Sequence, residues 1–434
     1  MSGIPSPISI ERAEIRFAFT SEVKKERFYA MDSVRAVAML LGVVLHIVTS
    51  GFSLKLPTPP AAVQLMNWIH GFRMPLFFLI SGFFCRMMYL RYGYAIYFQR
   101  RTGKLSAALL VALAGPVVFY GFKCLYAFCF HHYPDAGFSF LQNFDQFRIY
   151  FLGLGSLWFL WYLMIFASVG PLFAKLVSSS FNKAGNRFGQ ERFQNWVIKL
   201  GMVPLAVALI SLPFRLDLVQ NGSWALGFAS GITSTFPDVI WQFQPDWPFY
   251  FVYFASGWWL ERAKGSLNIV AKSWVIYLLL GVIFYFGGVF FEGQYFTDYI
   301  MLHKNWLGIV GCGLFSLGTS FTVFGLIAFF QSFMNRSSSL IRYFSDRAFW
   351  IYIAHFKIVS RVLVALDYWH LSYVLQTFLA FSITTLLSCA IYDLFVRPTF
   401  LSSIFGSTKP AVAVDFKELH NQLTSTQSEP ITSL

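Results

Sequence analysis

The residues best suited to chemistry sit where an apolar chain can least easily tolerate them. Asp32-Ser33-Val34-Arg35 opens an apolar run that reaches His46, eleven positions after Arg35. At 100° per residue, Arg35 and His46 lie about 20° from eclipsed and about 16 Å apart along a helix axis. Asp32 falls about 40° from His46, and Gly42 about 20° from Arg35, so all four share one stripe. The stripe carries an acid and a guanidinium at one end, a small residue midway and an imidazole deep in the run. An imidazole with a pKa near 6.5 can act as a general base at neutral pH. A guanidinium can clamp phosphate oxygens with two parallel hydrogen bonds. Arg35 could equally be a charge that only sets membrane orientation, and His46 could be bonded to a neighbouring helix.

A second apolar run reads His70-Gly71-Phe72-Arg73-Met74-Pro75-Leu76-Phe77-Phe78-Leu79-Ile80-Ser81-Gly82. Arg73 lies about two turns inside it, at a depth similar to His46 on an antiparallel neighbour. It can orient a carboxyl or carbonyl group, stabilise an oxyanion, or snorkel to the outer headgroups. Ser81 is a candidate substrate contact, and Ser81-Gly82 can also serve close helix packing. Trp158 and Trp161 in a later run can wall a substrate site or belong to an aromatic belt. Tyr352-Ile353-Ala354-His355 places a second imidazole near mid-membrane, as a partner for His46 or the acceptor, or as a packed core histidine. Arg100, Arg101 and Lys104 follow the second run and can extend a phosphate-binding mouth.

The elements that must position these residues are membrane helices. Of the 434 residues, 56% are hydrophobic and 12% charged, half the charge of an ordinary soluble domain. Mean hydropathy is +0.57, which excludes a soluble enzyme and a disordered chain alike. Ten apolar runs are long enough to cross a bilayer: 34–53, 69–90, 105–130, 149–177, 196–213, 245–261, 272–291, 305–330, 347–366 and 372–396. The net charge of +13 fits cytoplasmic loops facing anionic lipid, and nucleic acid is not an expected partner. Lys and Arg cluster in alternate loops, whereas the other loops carry acids such as Asp145, Asp246 and Asp298. That bias predicts an all-α, polytopic bundle of about ten transmembrane helices with both termini cytoplasmic. Residues 1–30 read as a cytoplasmic arm, 31–398 as the membrane domain and 399–434 as a disordered tail. The first 30 residues lack the apolar core of a cleavable signal. Cys85, Cys124, Cys129, Cys312 and Cys389 have no metal-ligand spacing and read as buried thiols. No acidic cluster offers a metal site.

The residues also resemble a known family. Asp32-Ser33-Val34-Arg35 with His46 is similar to the first-helix signature of the acyltransferase-3 integral membrane acyltransferases. Phe72 through Phe84 resembles their second-helix motif. Leu157-Trp158-Phe159-Leu160 and Ile351-Tyr352-Ile353-Ala354-His355 resemble two later ones, in family order. The first two motifs are most like the branch that transfers succinyl groups onto osmoregulated periplasmic glucans. The resemblance implies a bacterial inner-membrane enzyme without a tightly bound cofactor. It implies an acyl-CoA donor, best read as succinyl-CoA, and a periplasmic glucan acceptor. It also implies that His46 carries out catalysis and that Arg35 lies on the donor path. The residues themselves add Arg73 and His355 as catalytic candidates, Asp32, Arg100 and Arg101 as donor contacts, and Ser81, Trp158, Trp161 and Tyr352 as substrate contacts. O-acetylation of another envelope carbohydrate, transport of the glycan and a structural subunit are the competing readings.

Overall fold

The computed structural model describes residues 28–129, 158–183, 202–220, 247–263, 267–301 and 305–405. Among the described residues every regular element is helical. In chain order these are α1 (Tyr29–Ser53), α2 (Pro60–Cys129), α3 (Trp158–Lys183), α4 (Val203–Gln220), α5 (Trp247–Arg262) and α6 (Leu267–Ala271). Then come α7 (Trp274–Met301), α8 (Asn305–Phe333), α9 (Ser339–Asp367), α10 (Tyr373–Ile391), a π-helical turn (Tyr392–Val396) and α11 (Leu401–Phe405).

The 70 residues of α2 are two arms, 60–92 and 94–129, broken at Gly93 (φ 71°, ψ 170°). That backbone region is open to glycine alone. The chain doubles back there, because Arg101 reaches Ser81 and the Tyr97 ring meets Tyr89. The second and third apolar runs are therefore one hairpin.

Among the described residues, seven helical stretches have the length and composition to cross a membrane, and the hairpin, Pro60–Ala114, counts as one of them. The apolar part of α4, Val203–Arg215, and the 16-residue α5 are shorter. Residues 130, 149–157, 196–201 and 245–246 of the expected runs lie outside the described residues, as do 1–27 and 406–434. The bundle continues past residue 398, where a tail was expected. Phe405 packs on the rings of Phe349 and Trp350 and is buried.

Residue contacts give the helix directions. α1 and α9 run parallel, through Arg35 with Ser345, His46 with His355 and Ser50 with Ser360. The first arm of α2 opposes α1, through Phe28 with Phe83 and Gly42 with Arg73. α3 opposes the second arm, through Tyr97 with Ala167 and Ser106 with Met164. α5 parallels the first arm, through Phe78 with Tyr250 and Arg86 with Glu261. α4 opposes α5, where Arg215 lies over Phe249 and Ser211 reaches Tyr253. α7 opposes α8, through Trp274 with Phe329 and Tyr285 with Phe315. α8 ends beside the start of α1, through Met334 with Ser33. α10 opposes α9, through Trp350 with Ser388. Successive segments thus alternate in direction.

Lipid and small residues explain the packing. On α7, Ile276, Leu279, Ile283, Phe286 and Phe290 form an exposed stripe at helical spacing, as a lipid-facing surface requires. At the interior contact of α2 with α5, a Cβ on Gly82 would overlap the Phe254 carbonyl, and one on Gly257 the Leu79 carbonyl. These glycines let two backbones touch. α1 is enclosed by α2, α8, α9 and α10, so its polar stripe faces protein.

Candidate active site

The parallel pair α1 and α9 builds two polar rungs. The lower one lies where α1 begins. Arg35 donates from Nη2 to Asp32 Oδ1 at 3.0 Å and to Ser345 Oγ at 2.5 Å. Ser345 Oγ also lies 3.5 Å from the same Asp32 oxygen. The Arg35 side chain keeps 31% of its surface exposed, so a further ligand can reach it. Arg101 donates to Ser81 Oγ at 2.9 Å. Lys104 lies within electrostatic reach of Arg101 and Arg35. Arg35, Arg101 and Lys104 therefore form one cationic cluster. Arg100 points elsewhere: it is exposed, with its guanidinium 4.7 Å over the Tyr92 ring. Adjacent positions on a helix diverge by about 100°, which separates Arg100 from Arg101. Ser81 stands in this lower rung beneath Arg101, away from the imidazoles.

The upper rung lies about 16 Å further along α1. The His46 and His355 rings are 5.0 Å apart, inclined at 51°. His355 Nδ1 lies 2.6 Å from the Ile351 carbonyl of its own helix. A carbonyl only accepts, so Nδ1 carries the proton and Nε2 keeps its lone pair. That Nε2 is buried without a hydrogen-bond partner among the described residues. On His46, Nδ1 is 3.4 Å from Thr49 Oγ1, whose hydroxyl donates to the His46 carbonyl at 3.1 Å. With that single proton committed, the Thr49 oxygen accepts from Nδ1–H, and His46 Nε2 is left as the basic atom.

Arg73 enters this rung from the first arm of α2. A Cβ on Gly42 would overlap Arg73 Nη1, and the same point lies 3.4 Å from Arg73 Cζ and 4.0 Å from His355 Nε2. The missing methyl group on α1 is what allows the guanidinium to sit beside the imidazoles. His70, one turn before Arg73, lies within electrostatic reach of His46.

An aromatic wall closes the side away from α1. Phe78 stacks near Phe159 (4.9 Å) and Tyr250 (5.1 Å). Trp158 lies 5.4 Å from Tyr250, and Tyr352 lies 5.5 Å from Phe159. Arg73 is within electrostatic reach of Tyr352 and Tyr250. Trp161 packs half-buried against the apolar core.

His46, Arg73 and His355, proposed from three separate helices, converge. Trp158 and Tyr352 join the wall beside them, whereas Ser81, Asp32, Arg35 and Arg101 belong to the lower rung. Sequence reasoning gave no role to His70, Tyr250 or Ser345. His70 is three positions before Arg73, a spacing that shares a face, and could have been found. Tyr250 sits in an unbroken aromatic run and Ser345 in a polar one, and nothing local singles either out. The arrangement supplies bases, a fixed cation and a dry wall at one depth, and a cluster for anions at another. These are the parts needed to move an acyl group onto a hydroxyl.

The sequence profile of an acyltransferase domain, acyltransferase-3, matches residues 28–393. Glucans biosynthesis protein C of Salmonella paratyphi B, Salmonella heidelberg and Salmonella agona is 38% identical over 98 residues in each case. The matched region is 21% of this chain and 26% of each relative. The match therefore spans about a quarter of the length of those relatives. No solved structure matches the chain significantly.

Proposed function

The chain belongs to the acyltransferase-3 family and is a multi-pass membrane acyltransferase; from that premise we propose that it moves a succinyl group from cytoplasmic acyl-CoA to a hydroxyl of a periplasmic glucan. The observation that carries this reading is the convergence of His46, His355 and Arg73 about 10–16 Å along α1 from Arg35 of the cationic cluster. Acyl-CoA is strongly anionic at its nucleotide end and reactive at the far end of an extended arm. Its phosphates meet Arg35, Arg101 and Lys104, and its arm runs along the α1 stripe to the imidazoles. The acceptor arrives from the opposite side.

His46 Nε2 takes the proton of the sugar hydroxyl as that oxygen attacks the thioester carbonyl. The C–S bond breaks, the ester C–O bond forms, and the proton passes to the departing thiolate to give free CoA. His355, fixed as the Nδ1–H tautomer by Ile351, offers a second lone pair within the same rung. The aromatic wall keeps water from competing for the acyl group. Relatives of the matched type bear the name glucans biosynthesis protein C, which favours glucan over lipopolysaccharide or peptidoglycan as the acceptor.

The test uses purified protein in proteoliposomes with succinyl-CoA and periplasmic glucan. Free CoA should appear only with glucan present, and His46→Ala should slow its release at least about 100-fold while the protein still folds and inserts. Glucans from a deletion strain should lose their succinyl mass increment. Unaltered glucans, or near-wild-type turnover by His46→Ala, would overturn the proposal.

A further inference from the structure

Arginine cannot shed its charge inside a protein, so a buried guanidinium needs an anion. Two other deeply placed arginines have one. Arg347 pairs with Asp393 and Arg86 with Glu261, the latter at 2.8 Å. Arg73 is as buried as Arg347, only 7% exposed, and more buried than Arg86, yet among the described residues no carboxylate pairs with it. Among the described residues its Nε has no hydrogen-bond partner, and its Nη2 has only a weak contact with Met74 Sδ at 3.6 Å. The polar groups around it are the neutral phenols of Tyr352 and Tyr250 and the imidazoles of His46 and His355. The fold has brought a fixed positive charge into an aromatic wall where none of the described residues supplies a carboxylate.

Gly42 gives the guanidinium its place, since any larger residue would displace it from beside His355 Nε2. The donor's phosphates belong at the lower rung, about 10 Å below Gly42 along α1. The part of the donor that reaches the upper rung is its acyl end, so an anion that the donor supplies there is carried on the acyl group. A transient oxyanion alone does not meet the need, because among the described residues no anion pairs with the guanidinium before any reaction begins. A carboxylate two methylenes beyond the acyl carbonyl reaches from a thioester held at the imidazoles to the guanidinium beside them.

We infer that Arg73 is the specificity-determining residue of the site, pairing with the terminal carboxylate of a dicarboxylic acyl group and so selecting it over neutral acyl groups. This rests on the acyl-CoA reading above. The two donors to compare are succinyl-CoA and butyryl-CoA, which share a four-carbon chain and differ in a terminal carboxylate or methyl.

With wild-type protein in proteoliposomes, kcat/KM for succinyl-CoA should exceed that for butyryl-CoA by roughly 100- to 1,000-fold. Arg73→Gln should bring the ratio close to one, and Arg73→Lys should restore part of it. Equal use of both thioesters by the wild type overturns the assignment without any variant. An unchanged ratio in Arg73→Gln, with both rates lowered together, also overturns it and makes Arg73 an oxyanion donor. Turnover of neither thioester refutes the acyl-CoA reading itself, which is a distinguishable result.

Discussion

Arg35 and His46 share a stripe on α1 but hold different partners. Arg35 is pinned by Asp32 and Ser345 through one nitrogen, Nη2, while about a third of its side chain stays exposed, 31%. That combination suits a residue that grips a ligand and takes no part in bond making. Arg35→Ala should raise KM for acyl-CoA roughly 10- to 100-fold, the loss of a charge-assisted hydrogen bond, and leave kcat little changed. Steady-state kinetics with saturating glucan checks this; an unchanged KM removes Arg35 from the donor path. Asp32 orients Arg35 and closes the first turn of α1, where a carboxylate also complements the helix dipole.

At the scale of elements, the site depends on how closely backbones approach. Arg73 is held at its depth by the first arm of α2, and that arm is held by α5 through Gly82 and Gly257. A methyl group on Gly257 would meet the Leu79 carbonyl, which cannot move without separating the helices. Gly257→Ala should therefore cost about 1–3 kcal/mol and lower the thermal midpoint in detergent. Gly103 is the control: it is helical with open space where a Cβ would go. Gly103→Ala should stabilise by about 0.5–1 kcal/mol, the ordinary helix preference. Equal midpoints for the two variants would show that α2 and α5 do not need their close contact. Gly93 is a different case, since its backbone geometry makes the hairpin possible.

For the whole molecule, the alternation of helix directions sorts the charges. The end where α1 begins also holds Arg86, Arg101, Lys104, Arg262, Lys272, Arg336 and Arg342. The opposite end holds Lys55, Arg215, Lys357 and Arg361. Cations gather on the cytoplasmic side of membrane proteins, so the lower rung should face the cytoplasm and the donor pool. An impermeant thiol reagent added outside intact cells should label Tyr368→Cys, at the exposed α9–α10 turn, and spare Arg336→Cys, at the exposed α8–α9 turn. The opposite pattern would invert the molecule and place the cationic cluster on the wrong side for acyl-CoA.

Much of this was legible in the chain itself. Hydropathy marked the helical runs because lipid imposes one length and one polarity on every crossing. Helical periodicity put Asp32, Arg35, Gly42 and His46 on one stripe because those residues belong to one rigid element. Periodicity is blind between elements. The match of α1 with α9, through residues 310 positions apart, follows from packing. So do the proton on His355 Nδ1, the separation of Ser81 from the imidazoles, and the want of a carboxylate beside Arg73 among the described residues. Each depends on which side chains from distant segments share a space, and only the assembled bundle decides that.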